Sequence, residues 1–191
     1  MKVNRFAERF TRYYHRIKFK GQAVNFNSLA DDKSDCLVCL PANLNHVLSA
    51  ASKLPAIASI FPNRLIKVLV TANIDHRSHE YIKRFTLERP FSYDLTSFYL
   101  PKKTFIERIV GKGLSICIDL DFEHNFFNSS VCLLSKAPLR IGSSKGMGMP
   151  YYNMEIDIGD QAAINPETYD RFVKVLYNFN YKGEEIAPIE T

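Results

Sequence analysis

The residues best equipped for chemistry lie in one short segment that follows an apolar run. It holds three carboxylates, an imidazole and an amide: Asp119, Asp121, Glu123, His124 and Asn125. Carboxylate oxygens bind hard cations, but a calcium loop starting at Asp119 needs Gly and an acid where His124 and Ser130 stand. We therefore favour a structural role for this segment, in which Asp121 or Asn125 caps the next helix and the acids stabilise its first turn.

His46 is the second candidate, at a predicted junction between a strand and a helix, with Asn43 and Asn45 beside it. An imidazole with an unperturbed pKa near 6.5 can accept a proton at neutral pH. A catalytic His46 would face a cleft lined by Asn43, Asn125 and Lys145, and these residues with Asn45 form our predicted ligand-binding set. The favoured alternative is that Asn45 caps the helix and His46 is a solvated first-turn residue, because Asn caps are common.

Two further groups fail the spacing tests of known sites. The first combines acids and histidines, namely Asp75, His76, His79 and Glu80, but it lacks the H-E-x-x-H order of zinc enzymes and favours a solvated helix start. The second is the glycine-rich loop at 142–150, where Gly146 rather than Ser or Thr follows Lys145. We interpret it as a mobile loop at the ligand edge that could contact an anion.

The four cysteines have apolar neighbours: Cys36, Cys39, Cys117 and Cys132. Cys36 and Cys39 lie in one predicted strand, where residues three apart point to opposite faces, so they cannot form a redox pair or a metal knuckle. We predict reduced core cysteines, as in a cytosolic protein. The sequence predicts neither a metal nor an organic cofactor.

Short apolar runs alternate with helical periodicity, and these elements must position the candidate residues. Strands are predicted at 36–40, 65–70, 95–100, 114–120, 139–142 and 152–158, and helices at 45–60, 80–85, 101–110, 126–135 and 166–179. Pro55 should kink or divide the first of these helices. Such alternation predicts a three-layer, Rossmann-like α/β domain with a mainly parallel sheet. Ligands bind such sheets beyond the carboxyl ends of the strands, hence at loops beginning at Pro41, Thr71, Asp119 and Gly142.

The first twenty residues form a basic amphipathic segment. They carry a net charge of +6, whereas the whole chain of 191 residues carries +5, so the remainder is close to neutral. Apolar residues share one helical face, namely Phe6, Phe10, Tyr13, Tyr14 and Ile17, and a stripe of arginines runs beside it, namely Arg5, Arg9, Arg12 and Arg16. An interfacial membrane helix has these features, with Phe6, Phe10, Tyr13 and the arginines as its contacts. The favoured alternative is a helix docked on its own domain with the arginines along the edge.

Length and composition favour two units, a helix over 1–24 and a single α/β domain over 25–191. No apolar run reaches the roughly 20 residues that span a bilayer, and the basic start does not match an export signal. We expect a cytoplasmic protein that is peripheral to the inner membrane. Its expected partners are the membrane surface, contacted through residues 1–20, another protein, or a second copy of the chain. Nucleic acid is not expected, since the basic residues are confined to one helix.

Two segments resemble the bacterial heptosyltransferases, two-domain glycosyltransferases of the GT-B type that build the lipopolysaccharide inner core. Cys36 to Val70 is similar to the family's opening strand, loop, Ala- and Leu-rich helix, Phe-Pro and second strand. Asp119 to Gly142 is similar to its strand ending in Asp-Leu, an Asn-containing turn, a helix and Arg-Ile-Gly. The resemblance implies a relative of the acceptor-side N-terminal domain.

The departures from the family bear on activity. Asn45-His46 stands where the family has Gly-Asp, whose carboxylate is suited to deprotonating the acceptor, and the chain has room for only one of the two domains. We therefore expect a stand-alone binding or accessory domain without catalysis of its own. The alternatives are half of a split glycosyltransferase or another small-substrate enzyme with His46 as base, and a structural or dimerisation domain.

Overall fold

A computed structural model describes residues 4–19, 34–72, 74–144, 146–159 and 164–184. Within these residues six strands form one entirely parallel sheet in the order β3-β2-β1-β4-β5-β6. The strands are β1 (Asp35–Cys39), β2 (Ile66–Leu69), β3 (Thr86–Glu88), β4 (Leu114–Asp119), β5 (Leu139–Ser143) and β6 (Met154–Ile156). The predicted Rossmann-like α/β class is confirmed.

The described helices are α1 (Arg5–Lys18), α2 (Leu44–Ala51), α3 (Leu54–Ile60), α4 (His76–Ile82), α5 (Lys103–Val110), α6 (Phe126–Ser135) and α7 (Pro166–Glu184). Pro55 divides the predicted helix at 45–60, because it stands in the first turn of α3, where a missing N–H costs no hydrogen bond. None of these helices is both long and apolar enough to cross a bilayer.

The central strands form because apolar side chains are buried on both faces of the sheet. β2, β4 and β5 are buried at every position, and β1 is buried from Cys36 onward. One core cluster contains residues of α2, α3, α4 and α7, and a second, on the other face, contains residues of α5 and α6. The sheet is therefore the middle layer of three, and its carboxyl ends carry the candidate site.

The predicted strand at 95–100 is wrong. This segment is a tight loop, in which the Thr96 N–H donates to the Leu100 carbonyl and Tyr99 adopts a positive φ of 61°. The loop has leucines at positions 95 and 100 because these side chains pack against the core. The third strand is instead Thr86–Glu88, a short and largely exposed edge.

α1 docks on the domain, but not through its aromatic stripe. Ala7 and His15 are its buried residues, and the His15 ring lies against the rings of Phe126 and Tyr151. At about 100° per residue, His15 lies about 140° around the helix from Phe10. The favoured interpretation of a docked helix is therefore confirmed in part, because the surface that docks is not the aromatic one.

Candidate functional site

The candidate site lies where the strand order reverses, between β1 and β4. These two strands are neighbours in the sheet, and the chain leaves them in opposite directions, toward β2 and toward β5. In open α/β sheets a ligand usually binds in the crevice that such a reversal forms beyond the carboxyl ends, and this edge of the sheet is called the crevice below. The loop at 40–43 leaves β1 at this point, and the loop at 120–125 leaves β4.

Asp121 ties these two loops together. Its carboxylate accepts hydrogen bonds from the Ala42 N–H at 2.9 Å, the Asn125 side-chain amide at 2.7 Å and the Glu123 N–H at 3.2 Å. Burial raises the pKa of Asp121, while these donors act in the opposite direction. Since both oxygens already accept bonds from the chain, Asp121 is a positioning residue for the crevice.

Asp119 anchors the floor of the crevice. Tyr152 donates its hydroxyl to Asp119 at 2.6 Å, and the Asp121 N–H and the Asn128 amide donate at 2.9 and 3.2 Å. Burial raises the pKa of the Asp119 carboxyl to about 8, and the charge of Asp121 adds to the rise. In the folded protein Asp119 therefore keeps its proton to a higher pH than a solvent-exposed carboxyl does.

Three side chains at the rim of the crevice contact one another. Asn43 donates its amide to both oxygens of Glu123, at 3.2 and 3.3 Å, and the His46 Nε2 lies 3.5 Å from the same carboxylate. The His46 side chain is 17% exposed and that of Glu123 is 49% exposed. The arrangement offers an imidazole, a carboxylate and an amide that can donate, accept and exchange protons with a bound polar molecule.

α1 runs beside this crevice. The His124 Nε2 lies 2.6 Å from the Glu8 carboxylate, and the His15 Nδ1 lies 3.2 Å from the Tyr151 hydroxyl. Burial lowers the pKa of His15, and the charge of Lys18 lowers it further. Because His124 directly follows Glu123, α1 is fixed next to the rim of the crevice.

The outer face of α1 is exposed over its whole length. The exposed fractions are 80% for Phe6, 67% for Phe10, 68% for Tyr13, 48% for Tyr14 and 63% for Ile17. Of the predicted membrane contacts, Arg5, Arg9 and Arg16 are exposed, whereas Arg12 is half-buried. Its Nε is shielded from solvent and has no hydrogen-bond partner among the described residues.

The predicted ligand-binding residues separate into three groups. The structure brings Asn43, His46 and Asn125 together around the segment Asp121–Glu123. Asn45 is exposed and is not the helix cap, because the helix begins at Leu44 and the Asn43 side chain accepts the Asn45 N–H. Lys145 lies outside the described residues.

Capping is confirmed for both acidic and histidine-rich segments, whereas the predicted stabilisation of the first turn of α6 by acids is wrong, since that turn contains no acid. Asn125 caps α6 by accepting the N–H groups of Phe127 and Asn128, and Asp75 caps α4 by accepting that of Ser78. In the described part of the chain, neither segment brings three metal-ligand atoms together.

Sequence reasoning missed Asn128 and Tyr152, which hold Asp119, and it missed a meeting of Cys39, Cys117 and Cys132. All four cysteines are free and buried, as predicted, and Cys36 packs in the core opposite the one that holds Cys39. The three other sulfurs converge. The sequence did place these cysteines on two predicted strands and the helix that follows the second strand. Whether their sulfurs meet depends on sheet register and helix rotation, which the sequence does not show.

No protein-family model matches the chain, and a search of curated proteins returns no match.

Proposed function

We propose that this protein is a Rossmann-like binding domain that α1 holds at an anionic membrane surface, with the β1–β4 crevice presented to a polar ligand near that surface. The observation that carries this proposal is the exposed aromatic face of α1. This surface, made of Phe6, Phe10, Tyr13, Tyr14 and Ile17, is called the aromatic face below.

The exposure of the aromatic face is the first support. A docked helix of a soluble domain ordinarily buries its apolar stripe against the core, whereas α1 buries Ala7 and His15 and leaves the aromatic face outside. Five large apolar side chains on one helix surface form a patch of the kind that marks an interaction site. Phe and Tyr rings suit the boundary between lipid headgroups and acyl chains.

The charge beside the aromatic face favours an anionic membrane as the partner. Arg5, Arg9 and Arg16 are exposed along one side of the helix, and Lys18 is exposed at its end. Each basic residue near an anionic bilayer contributes about 1 kcal/mol. A second protein would need a groove that is both apolar and acidic, whereas an anionic bilayer supplies both properties at once.

The docking of α1 supports a role for the crevice at that surface. The hydrogen bond between Glu8 and His124 and the packing of His15 on Phe126 hold the helix against the carboxyl edge of the sheet. A ligand that extends from the membrane would therefore meet Asn43, His46 and Glu123. The kinship that we propose with the acceptor-side domain of the heptosyltransferases is supported by the sheet order and by the positions of the two similar segments: the first covers β1 and β2, and the second runs from the last residue of β4 through α6 into β5.

Vesicle flotation tests the membrane proposal. We expect the full chain to float with vesicles containing phosphatidylglycerol and to remain in solution with phosphatidylcholine alone. Two rings that each bury about half their surface contribute about 2 kcal/mol together, so Phe6→Ser with Phe10→Ser should weaken binding about 30-fold. Arg5→Ala with Arg9→Ala should weaken it similarly at low salt.

The controls are residues of similar exposure away from α1. Phe98 is 50% exposed and the Arg77 side chain is 80% exposed, so Phe98→Ser and Arg77→Ala should bind as the unchanged protein does. Substitution is preferable to truncation, since removing α1 would uncover Phe126 and Tyr151. Absence of flotation, or a dimer in gel filtration that Phe10→Ser dissociates, would contradict the membrane proposal.

A second candidate function rests on the pair of His46 and Glu123. A carboxylate 3.5 Å from Nε2 can orient an imidazole, so we propose that a small-substrate enzyme activity of this domain, alone or with a second chain, would use His46 as base. NMR titration of His46 with simple sugar phosphates tests this proposal. Ligand-dependent shifts of its ring protons in the unchanged protein, lost in Asn43→Ala, support it, and unaltered ring signals contradict it.

A further inference from the structure

Three cysteines from three elements meet on one face of the sheet. Cys39 ends β1, Cys117 lies within β4 and Cys132 lies within α6, and all three are completely buried. Their Sγ atoms lie within 4.8 Å of one another, and those of Cys117 and Cys132 are 3.1 Å apart. Since no disulfide joins them, three sulfur ligands face one point in the core.

We propose that Cys39, Cys117 and Cys132 form a three-coordinate site for a soft monovalent metal ion, Cu(I). This site is independent of the membrane and crevice proposals.

The spacing of the sulfurs fits one ion. Metal–thiolate bonds are about 2.3 Å long, so three sulfurs around a central ion stand about 4.0 Å from one another. The 3.1 Å separation of the Cys117 and Cys132 sulfurs is about 0.9 Å shorter than this distance, and no separation among the three exceeds 4.8 Å. Thiolates select soft ions such as Cu(I).

The number of ligands favours copper over zinc. Structural zinc sites are almost always four-coordinate. In the described part of the chain no fourth Cys, His, Asp or Glu joins the three sulfurs. A trigonal set of thiolates in an apolar environment therefore favours an ion that forms three-coordinate complexes.

Arg140 supplies an independent observation. Its guanidinium is buried, with 3% of the residue exposed, and it donates to the carbonyls of Ala137, Pro150 and Tyr151. Among the described residues no carboxylate lies within ion-pair distance of it. Arg140 is also the register partner of Cys117 on the neighbouring strand. A buried cation without an anion is costly, and a metal–thiolate centre, which has a net negative charge, would compensate it.

The experiment uses the full-length, reduced protein under anaerobic conditions. Cu(I) is supplied as its bicinchoninate complex, both to the folded protein and during refolding from urea, because the sulfurs are buried. We expect one copper per chain after desalting, and an X-ray absorption spectrum with three sulfur neighbours at about 2.3 Å. Binding releases the thiol protons, so copper affinity should rise with pH.

Single alanine variants identify the ligands. Cys39→Ala, Cys117→Ala and Cys132→Ala should each weaken copper binding at least tenfold. Cys36→Ala is the matched control, since Cys36 is equally buried but packs in the opposite core, and it should bind as the unchanged protein does. Circular dichroism checks that each variant folds, and the absorption spectrum of the unchanged protein decides if one does not.

Three results would overturn the proposal. The unchanged protein could retain no copper by either route, Cys36→Ala could lose as much binding as the other variants, or the spectrum could show nitrogen and oxygen ligands. Preferential retention of Zn(II) in direct competition would also overturn the assignment to copper.

Discussion

Replacing Asp119 by Asn isolates the buried carboxyl at the end of β4. In the folded protein its pKa is raised to about 8 by burial and by the charge of Asp121, whereas an unfolded chain gives an Asp pKa near 4. Asn has nearly the same shape and keeps an oxygen to accept the bonds from Asp121 and Asn128. The substitution therefore removes the titration while it retains most of the packing.

The sign of the effect follows from proton binding. Between about pH 4 and pH 8 the folded state keeps the Asp119 proton and the unfolded state releases it, so the free energy of unfolding falls as pH rises through this window. The slope is about 1.4 kcal/mol per pH unit. From pH 5 to pH 7 the stability of the unchanged protein should therefore fall by about 3 kcal/mol relative to Asp119→Asn, and the difference should level off above pH 8.

Urea unfolding followed by circular dichroism at five pH values from 5 to 9 measures this difference. Asp75→Asn is the control, because the pKa of the solvent-exposed Asp75 carboxyl is lowered by its bonds from Ser78, so it is ionised in both states throughout this range. Parallel stability curves for the unchanged protein and Asp119→Asn would show that Asp119 is already ionised in the fold and that its pKa is not raised.

Two further predictions concern the packing around the site and the docking of α1. In Gly142→Ala the new Cβ would lie 2.7 Å from the Tyr152 ring, so unfolding should become easier by about 1–3 kcal/mol, with exposed Ser144→Ala as the neutral control in thermal melts; an unchanged melting temperature would contradict the close contact. Burial lowers the pKa of His15, so the unfolded chain binds more protons just below pH 6.5 and stability should fall as pH drops through that range. His15→Gln should lack this fall in urea unfolding, and the same fall in both proteins would exclude His15 as its source.

The sequence could predict the central sheet because burial on both faces leaves a continuous apolar run. β1 and β4 were predicted from such runs. Because ligands bind parallel sheets beyond the carboxyl ends of the strands, Asn43, His46 and Asn125 could then be predicted to lie at one edge. β3 could not be found in this way, because Thr86–Glu88 is short and mostly exposed. The apolar residues of the loop at 95–100 imitate a strand, although they face the core from a turn.

Contacts between elements could not be predicted from the sequence. Helical periodicity identified the aromatic stripe of α1, but the surface that docks depends on the fit of His15 against Phe126 and Tyr151. The convergence of Cys117 and Cys132 likewise depends on how α6 is rotated over β4. Neither relation leaves a pattern in the order of residues.

The membrane proposal depends on insertion of the aromatic face into lipid, and a single fluorophore measures that insertion. The chain contains no Trp, so Phe10→Trp introduces a unique reporter at a position that is 67% exposed. We expect its emission to shift to shorter wavelength with phosphatidylglycerol vesicles, to be quenched by brominated acyl chains, and to remain unchanged with phosphatidylcholine. Tyr93→Trp, at a 64% exposed position away from α1, should show no shift. An unshifted Phe10→Trp spectrum with anionic vesicles, or equal shifts at both positions, would contradict the membrane proposal.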